Sequence, residues 1–332
     1  MAFLSAHVTI SSDGMRELIC SSVPSEKSAL AGRRAAACRL RWSLALLCCL
    51  WLPAAHAEIT VSDDIGNTVK LGLPAQRIIS LAPHLTELLF AAGAGERVLA
   101  VVEYSNFPVA AKALPRIGSS AAFDLERIAH LKPDLVVAWG SGNPPGQVAQ
   151  LRRLGIPVFV NEPQRLEDIP ASLRRLGQLA GTAQVAETAS RSFEQRLAAL
   201  HAHSGGASPV SVFYEIWNQP LMTVGGTHII SAVMTLCGGR NVFAALKQPA
   251  AAVELEAMLR ADPEVIVASG MAEERPEWLD QWRHWPQLQA AQRDNLFFVP
   301  PDLLQRHTPR ILDGAEQMCA ALDKARRRKQ QD

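Results

Sequence analysis

The sequence predicts an α/β protein with two lobes, each built on a parallel sheet and joined to the other by one long helix. Three observations predict this fold: short apolar segments alternate with helical segments, one long segment lacks Gly and Pro, and part of the first half recurs in the second. Short apolar strands that alternate with helices are typical of parallel sheets covered on both faces. A ligand-binding cleft between the lobes is therefore expected.

The first lobe is predicted over residues 58–182. Its strands are expected at 78–81, 98–102, 135–138 and 158–160, and its helices at 86–92, 125–131 and 147–154. The segment 183–204 is predicted to be the connecting helix, about 30 Å long at 1.5 Å per residue. The second lobe is expected over 205–325, opening with a strand at 210–214, and a basic tail follows over 326–332.

An internal repeat supports the two-lobe interpretation. Residues 123–138 align without gaps with residues 253–268, at a constant offset of 130 residues. Each copy is predicted to be one helix, one turn and one strand. Two unrelated units of this kind would also look alike, but the matched Leu-Glu dipeptides in the alignment favour a duplicated lobe.

The first 57 residues are predicted to be an N-terminal extension followed by a signal peptide. Arginines between residues 33 and 41 precede the apolar run 42–52, and the small-x-small sequence Ala55-His56-Ala57 follows. This order predicts export to the periplasm with cleavage after Ala57. A lipoprotein anchored at Cys48 or Cys49 is disfavoured because leucines precede these cysteines. Residues 1–32 lie upstream of an ordinary signal peptide, so we expect the true start codon further downstream.

Removal of the leader leaves Cys237 and Cys319 as the cysteines of the exported protein. Two cysteines in an oxidising compartment suggest one disulfide. Two unpaired buried thiols are the alternative.

Polar and aromatic side chains follow several predicted strands. Ligands of open parallel sheets bind beyond the carboxyl ends of the strands, so these positions are the candidate ligand-binding residues. Aromatic rings with a few polar groups suit a large, flat, partly apolar ligand, although each ring alone is equally consistent with core packing. The candidates are His84, Tyr104, Trp139, Trp217, Asp302 and Arg306.

Glu126 and Glu256 occupy equivalent positions near the start of the repeated helix. A carboxylate at that position stabilises the helix dipole, which is the simpler explanation. The alternative is that the two carboxylates, related by pseudo-twofold symmetry, are docking contacts for a two-fold symmetric partner that carries arginines.

Catalysis and nucleic-acid binding have little support. The chain has no Gly-x-Ser-x-Gly, no phosphate-binding Gly-rich loop with Lys-Ser/Thr and no His-Glu-x-x-His, and its net charge is +1. His84, His228 and His307 are each able to bind a metal or cap a cobalt or haem iron, but their sequence spacing is not that of a metal site. The competing class is a periplasmic enzyme that uses His84 or His307 with Asp302.

The segments 79–93, 104–108, 125–139, 237–243 and 309–312 resemble the helical-backbone receptors of metal-chelate ABC importers, and most closely the cobalamin-binding receptors. The resemblance covers about 77–322. It implies the class III periplasmic binding protein fold, with two Rossmann-like lobes that hold a corrinoid between them. It also implies a monomer that delivers its ligand to an ABC permease dimer in the inner membrane, with no cofactor of its own.

The resemblance also implies roles for individual residues. Tyr104, Trp139, Asp302 and Arg306 match ligand-contact regions of the family, Glu126 and Glu256 match its docking carboxylates, and Cys237 and Cys319 match its disulfide. The sequence departs from the family where cleft tryptophans are expected, since Ser120 and the region of Ala250 take their place. Trp217 is a candidate replacement, and a ferric-siderophore or haem receptor is the alternative.

Overall fold

The structure is a computed structural model that describes residues 58–270 and 274–331. The predicted signal peptide and its cleavage after Ala57 lie outside the described residues. Within the two described ranges, no helix combines the length and the apolar character needed to cross a bilayer.

The first lobe begins with a small hairpin and continues with alternating strands and helices. Its strands are β1 (Ile59–Ser62), β2 (Thr68–Leu71), β3 (Ile78–Ser80), β4 (Val98–Val101), β5 (Gly118–Ser119), β6 (Ala122–Phe123), β7 (Leu135–Trp139) and β8 (Val158–Asn161). Its helices are α1 (Pro83–Ala91), α2 (Leu125–His130), α3 (Pro145–Arg153) and α4 (Asp168–Ala180), with 3-10 turns at Gly95–Arg97 and Val109–Ala113.

The helix α5 (Ala183–Ser204) connects the lobes. The second lobe contains β9 (Val210–Glu215), β10 (Trp217–Asn218), β11 (Leu221–Val224), β12 (Gly239–Asn241), β13 (Ala250–Ala252), β14 (Val265–Ala268) and β15 (Leu296–Phe298). Its helices are α6 (Ile229–Leu236), α7 (Leu255–Ala261), α8 (Gln289–Gln292), α9 (Pro301–Leu304) and α10 (Ile311–Lys329), with a 3-10 helix at Glu277–His284.

The central sheets of the two lobes have the same topology. Each is parallel, with strand order β4-β3-β7-β8 in the first lobe and β12-β9-β14-β15 in the second. When the four strands of each sheet are numbered by their order in the chain, both sheets have the spatial strand order 2-1-3-4. The repeated segments form α2 with β7 and α7 with β14, at the same place in each lobe. The predicted fold class is confirmed.

The strands are apolar because helices cover both faces of each sheet. Every residue of β3 and β14 is buried, as is β7 from Leu135 to Ala138. The connecting helix α5 packs closely on α4. A Cβ built on Gly177 would lie 2.3 Å from the Cβ of Ala186, so a larger residue at 177 would push these helices apart. This contact holds the connecting helix firmly on the first lobe.

The second lobe carries the expected disulfide. Cys237, at the end of α6, is bonded to Cys319 in α10, with their Cα atoms 4.7 Å apart and a sequence separation of 82. The one-disulfide prediction is confirmed. The second lobe also contains an antiparallel sheet of order β10-β11-β13, which the sequence patterns did not indicate.

Candidate ligand-binding cleft

A cavity of about 630 Å³ lies between the two lobes. Residues that follow the carboxyl ends of strands in both lobes line it, as expected for open parallel sheets. The first lobe contributes His84, Trp139, Ser141, Glu162, Pro163 and Gln164. The second lobe contributes Ile216, Thr227, His228, Ile229, Ile230, Pro249, Gln305 and His307.

His84 and Trp139 meet at the point where the strand order of the first sheet reverses. His84 stands in the first turn of α1, directly after β3, and Trp139 is the last residue of the neighbouring strand β7. Their rings meet edge to face, with centroids 5.1 Å apart. The Nε2 atom of His84 and the Nε1 atom of Trp139 are both enclosed and have no hydrogen-bond partner. Polar groups of this kind are available to a ligand.

Three imidazole rings lie together in the cavity wall. The centroid of His307 lies 6.1 Å from that of His84 and 6.4 Å from that of His228. Burial lowers the pKa of His84 to about 3, with help from His307 and Arg306, and lowers the pKa of His307 to about 4. Burial also lowers the pKa of His228. All three rings are therefore neutral near pH 7.

The imidazoles do not form a site for a bare metal ion. Within the described ranges, no group of three or more His, Cys, Asp or Glu side chains has metal-binding geometry. The Nδ1 atom of His228 accepts a hydrogen bond from the amide of Ile230 at 3.2 Å and so caps α6. The backbone of Pro163 partly offsets the effect of burial on the pKa of His307.

A second cavity, of about 650 Å³, adjoins the first. The two cavities share Gln164, Thr227 and His228 as lining residues. The connecting helix contributes His201 to the second cavity. The space between the lobes thus extends from the imidazole cluster toward the connecting helix.

A buried ion-pair network joins the lobes at another place. Glu87 of α1 is 3 % exposed and accepts hydrogen bonds from Arg306 at 2.7 Å and from Arg310 at 2.8 and 3.0 Å. The guanidinium of Arg310 also lies over the ring of Phe107, 3.9 Å from its centroid. Glu87 therefore ties the first lobe to two arginines of the second lobe.

Tyr104, Asp302 and Arg306 belong to this network. Arg306 pairs with Asp302 at 2.8 Å and donates to the carbonyl of Tyr104 at 3.2 Å, and Asn106 donates to Asp302 at 3.3 Å. Tyr104 has a positive φ of 62°, which is uncommon for a bulky residue, and its side chain is 78 % exposed. These three candidates are together, but they are not among the residues that line the cavity.

Trp217 also lies outside the set of lining residues. It pairs with Met222 across the β10-β11 hairpin, and its Nε1 donates to the carbonyl of Gln219 at 2.8 Å. The preceding residue, Ile216, lines the cavity instead. Of the six candidates, the structure thus brings His84 and Trp139 into the cavity wall.

Glu126 and Glu256 are exposed residues in the first turns of α2 and α7. The helix α2 is capped by Asp124, whose side chain accepts from the amide of Arg127 at 2.9 Å. Glu254, at the equivalent cap of α7, makes no such bond. Both glutamates therefore present a carboxylate to solvent at matched positions of the two lobes.

Sequence reasoning missed Glu87 and most of the polar cavity residues. The partners of Glu87 lie 219 and 223 residues away in sequence, so no local pattern indicates them. Arg306 and Arg310 are four residues apart in sequence, but this spacing does not identify their partner in the other lobe.

The chain is similar to known proteins over most of its length. Residues 78–303 match the family model described as periplasmic binding protein. The vitamin B12-binding protein of Vibrio cholerae is 38% identical over 250 residues, which cover 75% of this chain and 90% of the relative. The vitamin B12-binding protein of Yersinia pestis is 36% identical over 271 residues, or 81% of this chain and 92% of the relative.

Solved structures show the same similarity. The crystal structure of the periplasmic vitamin B12 binding protein of Vibrio cholerae has a TM-score of 0.71 and 37% identity, covering 76% of this chain and 98% of that one. The periplasmic heme-binding protein of Roseiflexus sp. RS-1 shares the fold, with a TM-score of 0.68 and 24% identity, covering 76% of this chain and 99% of that one. The chain belongs to the periplasmic binding protein family.

Proposed function

We propose that the protein is a periplasmic receptor that captures cobalamin or a related corrinoid between its lobes and delivers it to an ABC importer permease. The observation that carries this proposal is the interlobe cavity walled by His84, Trp139 and His307, in a chain whose relatives are named vitamin B12-binding proteins. Ligand capture between two lobes needs no catalytic group, and we propose that the protein catalyses no reaction and acts as a monomer.

The chemistry of the cavity suits a corrinoid. A corrin ring is broad, largely apolar on its faces and carries amide groups around its rim. The ring of Trp139 offers an aromatic surface, and its unpartnered N–H can donate to a rim carbonyl. The unpartnered nitrogen of His84 can pair with a rim amide in the same way. The adjoining cavity beside α5 gives room for the rest of a large ligand.

Tyr104, Trp217, Asp302 and Arg306 are proposed as contacts at the rim of the same cleft. Arg306 lies between Gln305 and His307, which both line the cavity, so the network of Glu87 adjoins the site through the chain itself. Tyr104 is the most exposed of the four and has a free aromatic face. A bound chelate that reaches past the cavity mouth would meet these residues first.

Glu126 and Glu256 are proposed as docking contacts for the permease. They are exposed at equivalent positions of two lobes that share one topology, so they suit a partner with two-fold symmetry. Exposed carboxylates of this kind steer and orient a complex more than they hold it. Cleavage after Ala57 would release this receptor into the periplasm.

Retention of ligand colour tests the ligand assignment. The purified protein is mixed with cyanocobalamin and desalted, and the visible spectrum of the protein fraction is recorded. We expect the ligand's spectrum at one equivalent per chain. Colourless protein would contradict the corrinoid assignment.

Parallel titrations distinguish the other chelates. Haem is the alternative that the structure itself raises, because imidazoles are common axial ligands of haem iron. Haem and a ferric siderophore are titrated beside cyanocobalamin, with tryptophan fluorescence as the signal. We expect strong quenching by cyanocobalamin at the lowest concentration, and tighter binding of haem would reassign the receptor. Release of bound corrinoid in a chemically altered form would contradict the absence of catalysis.

The docking role is tested by a double variant with a matched control. Replacing Glu126 and Glu256 by Ala should leave cyanocobalamin affinity unchanged and abolish permease-dependent uptake. The control replaces the exposed Glu103 and Glu254 by Ala, which removes the same charge at other positions and should leave uptake intact. Equal uptake by both double variants would return Glu126 and Glu256 to a helix-dipole role.

A further inference from the structure

The three imidazoles of the cavity differ in what their nitrogens can do. The Nδ1 atom of His228 accepts the amide hydrogen of Ile230, so its ring proton is on Nε2 and its lone pair is engaged. His84 is 6 % exposed and its Nε2 atom is enclosed, so it is less accessible from the cavity than His307. His307 is partly exposed in the cavity wall, where Pro163 is also a lining residue.

A histidine that donates one ring N–H to a backbone carbonyl keeps a lone pair on its other nitrogen. This arrangement is the usual one for metal-bound histidines, because the carbonyl fixes both the tautomer and the ring orientation. Neutral imidazole is the form that binds a metal.

We propose that a ring nitrogen of His307 binds axially to the cobalt of the captured corrinoid. This proposal rests on the proposed function and deepens it by naming the contact to the metal. The corrin supplies four equatorial nitrogens, and an exchangeable water occupies an axial position. The lone pair of the imidazole forms the cobalt–nitrogen bond, and the water leaves with its own electron pair. No proton is transferred and the oxidation state of cobalt is unchanged.

Two probes separate this contact from binding as a whole. Aquocobalamin has an exchangeable axial water, whereas cyanide blocks that position in cyanocobalamin. We expect wild-type protein to shift the visible spectrum of aquocobalamin to that of its free imidazole adduct, and to leave the cyanocobalamin spectrum unchanged. His307→Gln keeps a polar side chain at this position but has no imidazole. It should lose the shift completely when the spectrum is recorded at a protein concentration that saturates aquocobalamin binding.

The matched control is His130→Gln, which makes the same substitution at an exposed histidine at the end of α2. It should show the full wild-type shift. An unshifted aquocobalamin spectrum in wild-type protein that retains cyanocobalamin would overturn the axial contact and leave the proposed function standing. A shift that survives in His307→Gln would also overturn it. Failure of wild-type protein to retain either probe would overturn the proposed function itself.

Discussion

The two places where the lobes meet differ in how their polar groups are satisfied. In the Glu87 network, each carboxylate oxygen accepts from an arginine of the other lobe, and Arg306 has further partners in Asp302 and Tyr104. In the cavity, the ring nitrogens of His84 and Trp139 are enclosed without any partner. The carboxylate of Glu87 finds its partners within the protein, whereas the two ring nitrogens in the cavity wall do not.

We interpret the two places as having different roles: the Glu87 network holds the lobes together, and the cavity holds a ligand. Buried polar groups are nearly always paired, and each one that is not needs an explanation, such as a functional role or an ordered water. A network with paired charges on both lobes is expected to set their spacing. Unpaired groups in a cavity of about 630 Å³ are expected to await a ligand. The following predictions would break or sharpen this division.

Loss of the disulfide should have the largest effect, because it acts on both places together. Cys319 lies in α10, which begins directly after Arg310, and the bridge anchors that helix to α6. A loop of this length is credited with about 4 kcal/mol by chain-entropy arguments. Cys237→Ser should therefore lower the melting temperature under non-reducing conditions, measured by calorimetry. If a reductant left the melting temperature of the wild-type protein unchanged, a stabilising role of the disulfide would be contradicted.

Glu87→Ala should destabilise the protein by about 3 kcal/mol, because it leaves two partly buried arginines without their carboxylate. The measurement is urea unfolding followed by circular dichroism. Glu187→Ala is the control, since Glu187 forms exposed ion pairs with Arg174 and Arg191 and its loss should destabilise the protein far less. Unchanged stability in Glu87→Ala, with a large loss of ligand affinity, would place the network in the ligand site instead.

Trp139→Ala should weaken cyanocobalamin binding by about 2 kcal/mol, or roughly thirtyfold, because it removes an aromatic face and an indole donor from the cavity wall. Isothermal titration gives the affinity directly. Trp278→Ala, at a partly buried tryptophan of the second lobe that is not among the lining residues, is the matched control. Equal affinity in the two variants would remove Trp139 from the site.

Acid should destabilise the protein through the cavity histidines. The folded-state pKa of His84 is about 3, below the ordinary 6.5, because burial disfavours its charged form. The unfolded chain therefore binds more protons between pH 6.5 and that value, and the free energy of unfolding falls as pH falls. His84→Gln should reduce this slope by about 1 kcal/mol per pH unit below pH 6. Identical slopes in wild type and variant would show that His84 is not buried as a neutral ring.

The sequence predicted the frame of the fold more closely than the site. Strand and helix patterns are local, so the alternation through the first lobe and the long helix 183–204 follow from hydrophobic spacing and from the lack of Gly and Pro. The gap-free repeat of 123–138 in 253–268 indicated the shared topology. The small strands β10, β11 and β13 lack such patterning, since they are short and partly exposed.

The site was only partly predictable because it is assembled from distant segments. The carboxyl-end rule found His84 and Trp139, which are close in space through adjacent strands. The same rule selected Trp217, but the preceding residue, Ile216, lines the cavity instead. The spacing of the three histidines in sequence did not indicate their proximity, because His84 and His307 come from different lobes.

The position of the metal in a complex with cyanocobalamin tests the central claim most directly. A crystal of the complex, with anomalous scattering recorded at the cobalt absorption edge, would locate that one atom without further interpretation. The account predicts a single cobalt peak between the lobes, beside Trp139 and His307. A peak on an outer surface of either lobe, with the interlobe cavity empty, would contradict it.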